Sequence, residues 1–550
     1  MQLFIIIIFI IAFALIVSFL DEKRTSRTMR YFFQHSYGQK PDDNNHFADN
    51  QEEIKLYYNL IKETIPAEEL VDDITWNDLE MDKIFTRINT TVSYAGEQFL
   101  FSELHKTPQN KRKAEARERR IHFFETENEK RLKTQCFLHK LSKESIHFYI
   151  PECVQTLDTQ KIPFIQLYKF LFCSLLCLIL GAIITGNTWL TYAVGINFLI
   201  NLALYALNKM KYEFYLDSLY GIIHTIKIGK SLSDLYDDTE LSAQPHIKNL
   251  NKISNIVLLL EHKKQMGFSG DILGLVSDYI LGALMWDFIL YDKVTKLLFE
   301  RKEDFFSIYE FVGEIDLCIA VASFRKSLEY YCIPEFSEKD FAMTGLYHPL
   351  IENAIKNDFH MEKNIILTGS NASGKSTFIK ASCINLILGQ SIHTCTAQTM
   401  ILPDVKILTS MSVRDDISSG ESYYMKEIKY LYRIIKDSCG KRLLFCGIDE
   451  ILRGTNTKER IAASLAILQY LSKANCLLMV ATHDLELATS LDNVYDNYYF
   501  CESVQNGDVV FDYKLRQGIC NSYNAIRLLE SIGFPKEIIE EAKKGIKKKE

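Results

Sequence analysis

The chain has 550 residues, 47% of them apolar, and 63 Lys and Arg stand against 70 Asp and Glu for a net charge of −7. That length exceeds one ordinary domain and implies about three or four. The acidic balance excludes a globally basic nucleic-acid coat but not local basic patches. Thirteen scattered cysteines without a C-x-x-C pair exclude a zinc ribbon or a disulfide scaffold and read as small, reduced core residues.

In chain order, residues 3–20 are apolar except for Ser18, long enough to span a bilayer. No Lys or Arg precedes the run, and Ser18-Phe19-Leu20-Asp21 is a poor cleavage site, so an uncleaved anchor is expected. Lys23, Arg24, Arg27 and Arg30 would hold the following flank in the cytoplasm. Residues 21–56 read as a basic flank and polar linker around Pro41-Asp42-Asp43-Asn44-Asn45. Residues 57–160 carry helical patterning. The basic run Lys111–Arg120 is interleaved with Glu115 and Glu118 and reads as a solvated helix face. Its alternative is phosphate contact through Lys111, Arg112, Lys113, Arg117 and Arg120.

Residues 164–207 read as a transmembrane hairpin. Phe164–Gly186 and Leu190–Leu207 are nearly free of charge and joined by Asn187-Thr188-Trp189. Lys161 before the pair, and Lys209 and Lys211 after it, put both flanks on the cytoplasmic side. A helix pair buried in a soluble core is the other reading. Residues 208–340 return to helical periodicity, with long stretches at Ile272–Leu298 and Ile308–Tyr331. From 341 to 515 short apolar runs alternate with helices, as in a parallel sheet. Residues 516–550 read as a C-terminal helical segment around Gly533-Phe534-Pro535.

The chemistry is concentrated in 341–515. The apolar run Asn364–Leu367 leads into Gly369-Ser370-Asn371-Ala372-Ser373-Gly374-Lys375-Ser376-Thr377 and then a helix-like run. This is the strand, glycine loop and helix of a phosphate cradle, in which backbone N–H groups turn around phosphate oxygens at a helix N-terminus. Lys375 would reach the β- and γ-phosphates of ATP, and the Ser376 hydroxyl would ligate Mg²⁺. A second strand-like run, Arg442–Ile448, ends in Asp449-Glu450, placing one carboxylate to hold Mg²⁺ and one to orient the attacking water. A third, Cys476–Ala481, ends in Thr482-His483-Asp484, with His483 placed to sense the γ-phosphate. Between them, Ser418-Ser419-Gly420-Glu421-Ser422 opens a helix and makes a second anion site. One ATP cannot easily use both helix N-termini of one chain, so Ser419, Gly420 and Ser422 are expected on the ATP of a partner subunit.

These pieces resemble the ATPase core of the MutS family, a branch of the ABC-type ATPases. The matching residues are His348-Pro349, Gly369–Thr377, Arg414-Asp415-Asp416 leading into Ser419–Ser422, Asp449–Thr457, Ala481-Thr482-His483, and the segments around Ser522-Tyr523 and Gly533–Pro535. Residues 340–545 carry the resemblance firmly. Residues 57–160 and 212–340, including Gly313-Glu314-Ile315-Asp316, resemble the family's helical core and lever more loosely. The implied fold is an α/β P-loop NTPase domain of ABC type at the C-terminus, preceded by mainly α-helical regions, to which the apolar runs add three transmembrane helices. The resemblance implies an ATP- and Mg²⁺-dependent homodimer with DNA as a partner; the apolar runs and their flanking charges place it at the cell membrane with its ATPase domain in the cytoplasm. It departs from the family in the loop residues Ser370, Ala372 and Ser373 and in having no counterpart of the amino-terminal mismatch-reading domain. The expectation is therefore DNA binding without mismatch reading, or a membrane assembly or signalling factor that uses the ATPase as a dimerisation switch.

Overall fold

The computed structural model describes residues 24–41, 46–107, 111–157, 162–236, 243–254, 282–370, 373–411, 423–505, 508–519 and 533–547. The chain divides into two compact units, neither continuous in sequence. The first takes residues up to Glu63, Asn89–Ser102 and Arg120–Ser323; the second takes Thr64–Ile88, Glu103–Arg119 and everything from Phe324 onward.

The first unit is helical. Residues 46–56, expected as linker, are instead mostly helix. Ile54, Tyr57 and Tyr58 recur at helical spacing and bury one face of the helix Gln51–Ile61, so the polar residues between them are its solvent side. Tyr57, Tyr94 and Tyr309 form an aromatic cluster whose hydroxyls are satisfied, Tyr309 donating to Gln98 Oε1 at 2.5 Å and Tyr94 bonding Thr225 at 2.5 Å. Two buried carboxylates differ in their surroundings. Glu97 meets Lys143 at 3.0 Å, His46 at 3.2 Å and the Asn89 amide at 2.5 Å. Burial alone would raise its pKa, but Lys143 and His46 hold it down at about 2. Asp316 accepts from Ser93 N–H at 2.9 Å, Ser93 Oγ at 2.5 Å and Val92 N–H at 3.2 Å, and burial, opposed by these bonds and the Lys143 charge, pushes it up to about 6.

Among the described residues two helices are long and apolar enough to cross a membrane, Ile165–Thr185 and Thr188–Ser233. Asn187 caps the second, accepting from Trp189 N–H at 2.9 Å. Ile183, Ile184, Trp189, Tyr192, Ile196 and Leu199 are exposed. Asn197 donates to Ser174 Oγ at 2.9 Å, a polar contact between the two helices. The second helix runs on unbroken past residue 207, and beyond that point it is increasingly buried, through Leu219, Ile222, Ile226 and Leu232. The apolar run at residues 3–20 lies outside the described residues.

In the second unit, strands β1 (Glu335–Ser337), β2 (Phe341–Leu346), β3 (Asn357–Met361) and β5 (Thr399–Pro403) form a small sheet ordered β1-β5-β2-β3. The main sheet contains β4 (Asn364–Thr368), β6 (Val405–Ser410), β7 (Leu443–Asp449), β8 (Cys476–Ala481), β9 (Tyr495–Tyr499) and β12 (Arg516–Gln517), ordered β12-β9-β4-β8-β7-β6. All its pairs are parallel except that of the edge strand β12. A hairpin of β10 (Glu502–Gln505) and β11 (Asp508–Phe511) stands apart. Parallel strands covered on both faces need continuous apolar runs, and Ile365, Ile366 and Leu367 are each fully buried.

The basic run of residues 111–120 has a solvated face at Arg112, Lys113, Glu115 and Arg119, as its charge alternation suggested, but its other face is buried. Arg117 is buried, donating to Glu103 Oε2 at 2.7 Å and to the Ser391 carbonyl at 2.5 Å. Lys106, Lys113 and Arg117 together keep the buried Glu103 carboxylate well below its usual range. In the other unit, Arg120 lies 3.4 Å from Glu314.

Candidate active site

The register of the central strands sets the site. Leu367 of β4 pairs with Ala481 of β8, and Ala481 pairs with Asp449 of β7. The carboxyl ends of three neighbouring strands therefore stop in one row, where an open parallel sheet binds ligands. The phosphate loop, the Asp449-Glu450 pair and His483 leave from that row. Two backbone bonds tie the exits together: Thr482 N–H to Leu367 O at 3.0 Å, and Glu450 N–H to Ala481 O at 2.9 Å.

The loop after β4 turns at Gly369, with φ +142°, and enters the helix Lys375–Ile392 through Gly374, with φ +109°. A Cβ at position 369 would sit 2.5 Å from the Phe500 carbonyl oxygen, so only glycine fits there. Lys375 opens the helix and is only 4% exposed, yet its Nζ contacts two neutral carbonyls, Gly369 O and Ser370 O, each at 2.8 Å. Burial lowers its pKa, and the nearby charges of Asp449 and Glu450 oppose that shift. Among the described residues Ser373 Oγ, which is buried, has no hydrogen-bond partner. Ser370 Oγ is committed to Glu502 Oε2 at 2.6 Å. Ser376 and Thr377 follow in the first helical turn, Ser376 half-buried and Thr377 exposed. Among the described residues, an ammonium held by two carbonyls and a buried hydroxyl without a partner fit a phosphate chain.

Glu450 is held between His483 and Arg453. His483 Nε2 lies 2.6 Å from its Oε1, and Arg453 Nε lies 2.5 Å from its Oε2. The His483 hydrogen bond, and then the Arg453 charge, lower its pKa against the effect of burial. Among the described residues no group of three His, Cys, Asp or Glu could hold a metal by itself. The donor set that Ser376 and Asp449 offer, one hydroxyl and one carboxylate, suits Mg²⁺ bound together with nucleotide phosphates.

The structure thus brings together Gly369, Ser370, Ser373, Gly374, Lys375, Asp449, Glu450 and His483. Asn371 and Ala372 of the loop lie outside the described residues, as do Arg414-Asp415-Asp416, Ser419, Gly420, Ser422 and Ser522-Tyr523. Three further residues act on the site without having been given a role from sequence. Arg453 contacts Glu450. Arg460 makes a two-pronged bond to Asp484, beside His483, at 3.1 and 2.8 Å. Glu427 binds the backbone after Glu450. Their signal was faint, since arginines and glutamates usually face water.

A glycine loop at the carboxyl end of a core parallel strand, with an acidic pair at the end of a nearby strand of the same sheet, defines a P-loop nucleotide-binding domain of the ATPase type. Residues 365–550 match the model of MutS domain V. The chain is 30% identical over 264 residues to the DNA mismatch repair protein MutS of Thermotoga petrophila, a match covering 46% of this chain and 33% of that protein. It is 31% identical over 268 residues to the protein of the same name from Pseudothermotoga lettingae, covering 46% and 32%. It is 30% identical over 271 residues to MutS protein homolog 4 of Homo sapiens, covering 46% and 28%. Residues 365–550 thus match the ATPase domain of the MutS family. The matches span about a third of the length of these relatives.

Proposed function

We propose that this chain is an ATP hydrolase of MutS type that works as a homodimer anchored in a bilayer and couples turnover to duplex DNA. The observation that carries the ATPase reading is the row of strand ends that brings Lys375, Glu450 and His483 to one edge of the sheet. Lys375 exchanges the Gly369 and Ser370 carbonyls for β- and γ-phosphate oxygens, and the loop N–H groups with the Ser373 hydroxyl take further oxygens. Ser376 and Asp449 would hold Mg²⁺, which when bound neutralises phosphate charge. Glu450 orients the attacking water, and His483, already against Glu450, is placed for the γ-phosphate. Ser419, Gly420 and Ser422 act on the ATP of the second subunit. Mixing Lys375→Ala chains with Ser422→Arg chains then restores partial activity through one intact composite site. Proven heterodimers without recovery count against composite sites.

The bilayer reading rests on the apolar run at residues 3–20 and on the large apolar side chains exposed along Ile165–Thr185 and the start of Thr188–Ser233. It puts the ATPase domain in the cytoplasm, with the turn at Thr188 outside. A cysteine reporter at Thr188 should label from outside while Cys439 stays protected, and release of the protein by salt alone would remove the bilayer reading.

DNA is proposed from the printed function of the relatives, and mismatch reading is not part of the proposal. Arg117 and Arg120 spend their charge on Glu103 and Glu314, which favours a second reading: a membrane assembly or signalling factor whose ATPase is a dimerisation switch without nucleic acid. Turnover at one fixed salt, with matched and mismatched duplexes, separates them. Equal stimulation supports the first reading; no binding even at low salt supports the second. A tenfold preference for a mismatch, about 1.4 kcal/mol, would reveal a reading element and restore conventional mismatch recognition.

A further inference from the structure

The loop that carries Glu450 is strained. Glu450 has φ +59° and Leu452 φ +58°, both in the left-handed region that non-glycine residues avoid. Such conformations persist only where surrounding contacts over-determine them. On one side the loop is held by the Glu450 N–H bond to Ala481 O and by the burial of Ile451 and Leu452. On the other side the restraint is a side chain of the helix Tyr423–Asp437. Glu427, only 3% exposed, turns its carboxylate onto the loop backbone, accepting from Arg453 N–H at 2.9 Å and from Gly454 N–H at 3.4 Å. The same helix lies tight against the loop at Gly454, where a Cβ would come within 2.8 Å of the Tyr424 Cβ.

These contacts connect in series. Glu427 fixes the backbone of Arg453, the Arg453 guanidinium sits 2.5 Å from Glu450 Oε2, and His483 holds the other oxygen at 2.6 Å. We infer that Glu427 is a positioning residue for ATP hydrolysis: by clamping the Arg453–Gly454 backbone it sets the guanidinium that fixes and neutralises the Glu450 carboxylate. Glu427 touches neither nucleotide nor water and acts through Arg453. A buried carboxylate that takes two backbone N–H groups is hard to replace, because its loss leaves those donors unpaired in a dry site. The helix that carries Glu427 begins at Tyr423, directly after the Ser419–Ser422 segment. The clamp therefore couples the chain just beyond that segment to the hydrolytic loop of the same subunit.

The inference rests on the ATPase reading above, and its test separates the two. Wild type, Glu450→Gln, Glu427→Gln, Glu427→Asp and Gly454→Ala are compared as full-length protein for MgATP turnover and KM. Glu427→Gln keeps one acceptor and turns an amide NH₂ toward the second N–H. It should lower kcat about tenfold with KM within about twofold, since the Lys375 loop is untouched, a split that a merely structural loss would not give. Glu427→Asp should recover part of the rate. Gly454→Ala, which forces the loop off Tyr424 with Glu427 intact, should reproduce the fall in kcat at unchanged KM and carries the test together with Glu427→Asp if Glu427→Gln does not fold. If Glu450→Gln is inactive while the Glu427 and Gly454 variants keep the wild-type kcat, the clamp is refuted and the ATPase reading survives. If wild type does not hydrolyse ATP, or Glu450→Gln turns over like wild type, the ATPase reading itself fails.

Discussion

Buried charge is handled differently in the two units. In the helical unit, Glu97 is closed by Lys143, His46 and Asn89, and Asp316 by three donors around Ser93. In the second unit, Lys375 is also buried but among the described residues meets two neutral carbonyls, beside a buried hydroxyl that finds no partner there. A buried charge with its partners already present holds structure together. One whose strongest partner is missing is kept for a ligand, because an uncompensated buried charge is costly to maintain.

The largest effect that contrast predicts is at Lys375. Lys375→Ala should weaken MgATP binding at least about a hundredfold by titration calorimetry, through loss of a charge-assisted contact to phosphate, while leaving the melting temperature of the apo protein near wild type. A large loss of apo stability with little loss of affinity would move Lys375 into the class of Glu97.

Glu97→Gln should show the opposite pattern, destabilising the protein by about 2–3 kcal/mol at neutral pH without changing ATP affinity. The Glu97 pKa is lowered from its usual value to about 2. Its contribution is therefore present above the unfolded carboxylate range and is lost as pH falls from about 4.5 toward 2. Asp316 carries the other sign. Its pKa is raised to about 6, so the stability of the protonated form is complete below about pH 4 and is lost as pH rises through 6, by on the order of 2–3 kcal/mol. Asp316→Asn should flatten that part of the stability profile, read by denaturant unfolding between pH 4 and 7. An unchanged slope would show that the Asp316 surroundings are not closed in the way described. The smallest effect is expected at Arg460, a partly exposed pair with Asp484. Arg460→Ala should change kcat within about fivefold, and a larger loss would make it part of the catalytic set around His483.

How much of this was legible in the sequence follows the same contrast. The strands β4, β7 and β8 were readable because each is a continuous apolar run ending in residues a core strand would not carry without a use: Gly369, Asp449-Glu450 and Thr482-His483. The helical unit was readable as helix but not in its borders. Whether 64–88 and 103–119 join the second unit is settled by contacts hundreds of residues apart, such as Arg433 with Asp72 at 2.5 Å, and no local pattern encodes them. Arg117 and Glu427 were misjudged or passed over for one reason. Each sits in a charged helical stretch, and only three-dimensional packing shows that its head group points inward onto Ser391 and Glu103 or onto the Arg453–Gly454 backbone.

The most direct test of the central claim, that the strand-end row is an ATP-hydrolysing site, is Glu450→Gln in the full-length protein, with MgATP affinity and single-turnover hydrolysis measured on the same preparation. The account predicts wild-type affinity, since the Lys375 loop is unaltered, and hydrolysis slowed on the order of a hundredfold because the group that orients water is gone. Hydrolysis at the wild-type rate would contradict it.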